Sequence, residues 1–78
     1  MKEILESIIL NMVDNKEAVK IAEEEKDNVI TYKVDVEETD MGKVIGKQGK
    51  IAKAIRTVMK SIAGKEHKKV TVEFVEHK

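Results

Sequence analysis

The segment whose residues could do chemistry is Gly46-Lys47-Gln48-Gly49, in which two glycines enclose two polar residues. Glycine has no Cβ, so another molecule can come close to the backbone at both corners of this turn. A helical pattern begins at about Lys50, and the free amide N–H groups and positive dipole end of that helix face the turn. Lys47 and Lys50 add full positive charges. The spacing therefore predicts a site for an anion such as a phosphate.

Apolar residues flank this predicted anion site on both sides. Val44 and Ile45 precede the loop, and Ile51 and Ala52 follow it. A phosphate held on the loop, beside an aliphatic surface on which bases can lie, is a coherent arrangement for single-stranded nucleic acid. We expect Ile45 and Ile51 to line the surface for the bases.

Charge is distributed unevenly along the 78 residues, although the formal net charge is zero. Residues 1–40 contain twelve acidic and five basic residues, whereas residues 41–78 contain three acidic and ten basic residues. Since the Debye length is about 8 Å at physiological salt, the distant acids cancel the positive field of the second half only in part. Three lysines near the loop are expected to steer a negatively charged strand: Lys43, Lys50 and Lys53.

The elements that must position the loop follow from hydrophobic periodicity. Apolar residues at helical spacing predict a helix over 2–13, and alternation predicts strands over 18–25 and 29–37. Asp27 and Asn28 tolerate the positive φ of a tight hairpin turn. The later patterns predict a short helical turn over 41–45 capped by Thr39 or Asp40, a helix over 50–63 ended by Gly64, and a strand over 69–75.

The predicted order α-β-β-α-α-β constrains the topology. The tight turn pairs the first two strands antiparallel, and the β-α-α-β connection lays the last strand parallel to the second. We therefore expect an α+β fold with a three-stranded mixed sheet, covered on one face by helices. Within the long helix, the apolar residues expected to face the core are Ile51, Ile55, Val58 and Ile62. At roughly 100° per residue, the opposite side carries Lys53, Arg56 and Lys60.

The run GKVIGKQGKIAKAI at 42–55 resembles the Ile-Gly-x-x-Gly motif of KH domains. The element order is similar to the type II arrangement of that family, and length and motif together resemble the small stand-alone bacterial KH proteins of the KhpA type. The resemblance covers nearly the whole chain and implies a single KH domain over 1–78. In KH domains this loop clamps about four backbone nucleotides. Gly46, Lys47, Gln48 and Gly49 would contact the sugar-phosphate backbone, and Ile45 would form part of the groove floor.

Two more expectations follow from the resemblance. Many KH domains have a large aliphatic residue three positions after the second glycine, where this chain has Ala52. The smaller side chain predicts a shallower groove and little selectivity among bases. The family also implies a partner, either a second copy of the chain or a larger RNA-binding protein with its own KH domain. The expected role is that of a global or chaperone-like RNA-binding protein.

Enzymatic and metal-dependent functions are not expected. The chain has no cysteine, and His67 and His77 are ten residues apart, which matches no usual ligand spacing. The glycine spacing is one residue short of a P-loop, and Gln48 stands where that motif has a magnesium-binding hydroxyl. Neither Ser7 nor Ser61 has the partners of a nucleophile. We therefore predict no enzyme activity, no cofactor and no small-molecule substrate.

Membrane association is not expected either. The longest apolar run, Ile8-Ile9-Leu10, is much shorter than the ~18 residues of a membrane span. Glu3 stands where a signal peptide has a basic region. These features favour a cytoplasmic location.

The alternative is an interaction module that mainly binds protein, through a sheet edge at 69–75 or apolar residues such as Leu10. Lys47 favours nucleic acid instead, because a module that binds only protein has no need of it. The two aromatic residues, Tyr32 and Phe74, are expected in the core, so the chain cannot build the stacking surface of other RNA-binding folds. The sequence thus predicts weak single-stranded RNA binding with low to moderate sequence preference.

Overall fold

The computed structural model describes residues 1–75, which form three α-helices and three strands. In chain order these are α1 (Lys2–Leu10), β1 (Lys20–Lys26), β2 (Val29–Asp35), α2 (Met41–Ile45), α3 (Lys50–Lys65) and β3 (Lys69–Phe74). Short 3-10 turns precede β1, α2 and α3, at Lys16–Ala18, Glu38–Asp40 and Lys47–Gly49. The α+β class and the element order agree with the prediction.

β2 is the central strand of the sheet. β1 pairs antiparallel with it, with Lys20 opposite Asp35, and β3 pairs parallel on its other side. Asp27 and Asn28 form the connecting turn with φ angles of 52° and 65°. The predicted mixed three-stranded sheet and its tight hairpin are confirmed.

The core lies between the helices and one face of this sheet. Its buried apolar residues include Leu5 and Ile9 of α1, and Ile30, Tyr32 and Val34 of β2. Tyr32 is fully buried, as expected, and its hydroxyl has no hydrogen-bond partner among residues 1–75. Burial raises the pKa of this hydroxyl, and the nearby Glu23 carboxylate raises it further.

Several boundaries differ from the prediction. α1 ends at Leu10 and not at residue 13, because the Asn11 side-chain amide donates to the Ser7 carbonyl at 2.8 Å and the chain leaves the helix there. Val13 is nonetheless buried. β1 starts two residues late, after the 3-10 turn, and β2 and β3 end two and one residues early. α3 continues through Gly64 to Lys65.

The buried side of α3 was predicted wrongly in part. Ile51 and Val58 are 38% and 45% exposed, whereas the buried residues are Ala52, Ile55, Met59 and Ala63. The bulky side chains suggested a core stripe that is rotated from the real one. Because alanine has only a methyl group, the helix packs closely where Ala52 and Ala63 face inward.

Candidate nucleic-acid interface

The glycine loop (residues 46–49) joins α2 to α3 through an unusual backbone. Gly46 has φ 74° and ψ 177°, Gln48 has φ 57° and Gly49 has φ 72°. The Gly49 amide donates to the Gly46 carbonyl at 3.3 Å. Three of the four residues therefore have positive φ. Glycine adopts such angles without strain at 46 and 49, and Gln48 adopts the left-handed helical region.

Gly46 is also required by packing. A Cβ at this position would lie 2.6 Å from Cγ1 of Ile51, far inside van der Waals contact. A Cβ on Gly49 would meet no atom within 4 Å. Packing against Ile51 therefore fixes the first glycine, and backbone conformation alone fixes the second.

The loop leads directly into the first turn of α3, a helix of 16 residues. Among residues 1–75 no side chain caps this end. The Lys50 amide donates to the Lys47 carbonyl, so the amides that follow it in the first turn are the ones left for a ligand. Lys47, Gln48 and Lys50 are exposed, and neither lysine forms an ion pair with another described residue. The loop can thus offer backbone N–H groups and two uncompensated charges to one anion.

α3 has two different flanks beyond its first turn. One, the basic flank, consists of Lys53, Arg56 and Lys60. It faces β3, because Arg56 Nε donates to the Val72 carbonyl at 3.0 Å and its guanidinium lies 5.7 Å from the Phe74 ring centre.

The other, the apolar flank, consists of Ile51, Val58 and Ile62, which lie more than 100° around the helix from the basic flank. The structure therefore separates Ile51 from Lys53, although the sequence predicted both beside one strand of nucleic acid. Ile51 lies beside the loop and supports Gly46.

β3 forms an edge of the described sheet and presents backbone groups to the basic flank. The Lys69 amide donates to the carbonyl of Asn28, just before β2, and the Val75 amide donates to Val34 of β2. These bonds fix which residues of this parallel pair direct their N–H and C=O groups towards β2. The intervening peptide groups of Val70, Val72 and Phe74 consequently point away from β2. The Arg56 bond to Val72 lies on this outer side.

Lys43 is engaged within the fold. Its ammonium contacts the Asp14 carboxylate and lies 3.5 Å from Asp40 Oδ1, and the Asp14 contact is the main cause that raises the pKa of Lys43. A charge balanced by two carboxylates contributes little to steering a strand.

Asp40 has a different role from the predicted one. It makes no side-chain bond to the start of α2. It is buried, and its carboxylate accepts the amides of Asn15 at 3.0 Å and Asp14 at 3.1 Å, which lower the pKa of Asp40. Asp40 therefore ties the segment after α1 to the start of α2, the helix that leads into the glycine loop.

The remaining residues of the predicted site differ in their exposure to solvent. Val44 and Ala52 are buried and cannot line an open wall, whereas Ile45 is partly exposed next to the loop. Arg56 was not among the predicted site residues. Its position in the acid-free stretch and on the basic side of α3 was the signal that pointed to it.

No helix within residues 1–75 is both long and apolar enough to span a membrane. In the same residues, no three histidine or acidic side chains come together as a metal site would require. His67 lies in the turn after α3 with φ 59°, and His77 is outside the described residues.

Known proteins resemble this chain over almost its full length. The family profile described as KhpA/KhpB, KH domain, matches residues 2–74. The chain belongs to this family. The RNA-binding protein KhpA of Listeria monocytogenes is 49% identical over 76 residues, covering 97% of this chain and all of the relative. The proteins of the same name from Clostridium perfringens and Chlamydia pneumoniae are 52% and 44% identical, covering 96% and 100% of this chain and all of each relative.

Family membership confirms the KH resemblance and, with the α-β-β-α-α-β order and mixed sheet, the type II KH fold. The family is one of binding domains, so the prediction that the chain is not an enzyme is confirmed as well. No solved structure gives a significant match.

Proposed function

We propose that this KH domain binds single-stranded RNA, with the glycine loop as the phosphate clamp. The observation that carries the proposal is the start of α3, where within residues 1–75 no side chain caps the helix and the exposed Lys47 and Lys50 form no ion pair. Gln48 and the Gly46 and Gly49 backbone complete the clamp. The names of the relatives, RNA-binding protein KhpA, support the same ligand class.

We infer that the strand runs along the basic flank of α3 and the outer edge of β3. Lys53 and Arg56 provide positive charge on the helix side, and the outward peptide groups of β3 provide donors and acceptors on the other. Bases can be recognised through such groups when the strand is unpaired. Ile45 provides an aliphatic contact near the loop. Few side chains reach base edges, so we expect low to moderate sequence preference.

We further propose that the domain acts with a partner, either a second copy or a larger KH protein, in a global or chaperone-like role. A short footprint binds weakly, and a second linked site multiplies affinity. The exposed apolar flank of α3, with Val58 45% exposed, is a surface on which such a partner can pack. Because it lies away from the basic flank, both contacts can form together.

The clamp is tested by fluorescence anisotropy with labelled single-stranded RNA at two salt concentrations. The variant is Lys47→Asp/Gln48→Asp, and aspartate tolerates the positive φ of residue 48. The matched control is Ser7→Asp/Lys20→Asp, which changes net charge equally at exposed positions of α1 and β1. Circular dichroism and urea unfolding verify that each variant folds.

We expect the loop variant to lose at least ten-fold in affinity and the control to lose little. Equal binding by the loop variant and the wild type would contradict the proposal that the glycine loop is the phosphate clamp. If the wild type does not bind either, the domain is a protein-interaction module. Sedimentation of Val58→Lys against the wild type then tests whether the apolar flank holds a partner.

A further inference from the structure

A second basic site lies at the far end of α3 from the glycine loop. A pocket of about 340 Å³ opens there, lined by Val29, Lys60, Lys68, Lys69, Val70 and Thr71. Three of its six lining residues are lysines, and none is acidic. None of these residues belongs to the proposed clamp.

Two of the three lysines are free to bind a ligand. Lys68 lies 3.4 Å from Glu25, so part of its charge is already balanced. Lys60 and Lys69 are exposed and form no ion pair with another residue in 1–75. Val29, which is partly exposed, supplies an apolar surface in the same pocket, whereas the Val70 side chain is buried in the core. This combination of two unpaired cations and an aliphatic surface fits a phosphate with its base.

The basic flank connects this pocket to the loop. Lys53, Arg56 and Lys60 are spaced by three and four residues, which places neighbouring Cβ atoms about 5–6 Å apart along one side of the helix. The ten residues from Lys50 to Lys60 span about 15 Å. Four stacked nucleotides advance roughly 14 Å at about 3.4 Å each. The two lengths are similar, so when four nucleotides of a strand are bound at the loop, the nucleotides that follow them reach the pocket.

We propose that the RNA strand continues beyond the clamp and places further phosphates on Lys60 and Lys69, with a base against Val29. The footprint then covers about six nucleotides instead of the four that the loop clamps. This inference rests on the proposed function, since it concerns the course of the same strand. Charge complementarity and continuity with the basic flank support RNA as the occupant.

The experiment measures binding of labelled RNAs of four, six and eight nucleotides across a salt series. The variant is Lys60→Gln/Lys69→Gln, and the control with the same net charge is Lys20→Gln/Lys33→Gln on exposed positions of β1 and β2. For single strands, each phosphate contact adds about 0.7 to the slope of log affinity against log salt. We expect wild-type affinity and slope to rise between four and six nucleotides. In the pocket variant the slope at six should fall by about 1.4, with binding of the four-nucleotide RNA unchanged.

The outcomes separate this inference from the proposed function. If the pocket variant keeps the wild-type length dependence and salt slope while Lys47→Asp/Gln48→Asp still abolishes binding, the clamp stands and the extended footprint is wrong. If the control variant loses the same slope, general charge explains the effect and the pocket is not a site. Binding that is insensitive to the loop variant at every length would overturn both.

Discussion

Replacement of Gly46 by alanine tests the account of the loop most directly. The φ of 74° and ψ of 177° lie in a region that is essentially restricted to glycine and costs other residues of order 1–3 kcal/mol. The new Cβ also meets Ile51 Cγ1 at 2.6 Å, and moving that side chain off its rotamer costs about 0.5–1.5 kcal/mol. We expect Gly46→Ala to lower the free energy of unfolding by about 2–4 kcal/mol in total. For 78 residues the whole stability is roughly 4–12 kcal/mol.

Two other glycines serve as graded controls in the same urea titration. Gly49 needs a left-handed conformation but has open space, so Gly49→Ala should cost about 1–2 kcal/mol. Gly64 lies within α3 with open space, so Gly64→Ala should raise the free energy of unfolding by about 0.5–1 kcal/mol.

A double-mutant cycle isolates the steric part. Ile51→Ala removes Cγ1 and Cδ1, the two atoms that would lie nearest to a Cβ on residue 46, so Gly46→Ala should cost about 1 kcal/mol less in that background. The reasoning is refuted if Gly46→Ala costs no more than Gly49→Ala, or if Ile51→Ala leaves its cost unchanged.

Three further changes probe other parts of the fold. The pKa of Asp40 is lowered in the folded state, so the ionised carboxylate stabilises the fold. We expect the wild type to have a larger free energy of unfolding than Asp40→Asn at pH 7, and this difference to disappear as the pH falls below about 4. Urea titrations at several pH values measure it. Equal pH dependence in both proteins would contradict this. Tyr32→Phe removes a buried hydroxyl without a partner, so thermal unfolding should show unchanged or slightly greater stability, by up to about 1 kcal/mol; a clear loss would reveal a hidden hydrogen bond. Arg56→Gln removes the charged hydrogen bond to Val72 and the contact with Phe74, and should lower the free energy of unfolding by about 0.5–1.5 kcal/mol. An unchanged urea midpoint would show that the bond is not formed in solution.

The sequence predicted the parts of this fold that local patterns determine. Alternation in β2 and the Asp27-Asn28 turn predicted the hairpin, and the glycine spacing predicted the loop. Both signals are readable because positive φ restricts the residue types that a position accepts. The buried side of α3 was harder to predict from the sequence. Its apolar residues fit two overlapping stripes, and only packing against the sheet selects the one that contains the alanines.

Long-range polar contacts could not be predicted from the sequence. Asp40 reads locally as a helix cap, yet its partners are amides 25 and 26 residues earlier in the chain. Lys43 likewise reads as a free cation of a basic stretch, while Asp14 binds it from a distance of 29 residues. The separation of Ile51 from the basic flank also required the orientation of α3 against β3.

The Asp40 contact has a consequence for how far this domain can be trimmed. A fragment that starts after Asn15 would retain every strand and the glycine loop, and could be mistaken for a minimal binding unit. It would also lack the two amides that donate to the buried Asp40 carboxylate, and would leave that charge, among residues 16–75, with the Lys43 ammonium at 3.5 Å. The N-terminal segment therefore helps to hold in place the start of α2, the helix that leads into the glycine loop.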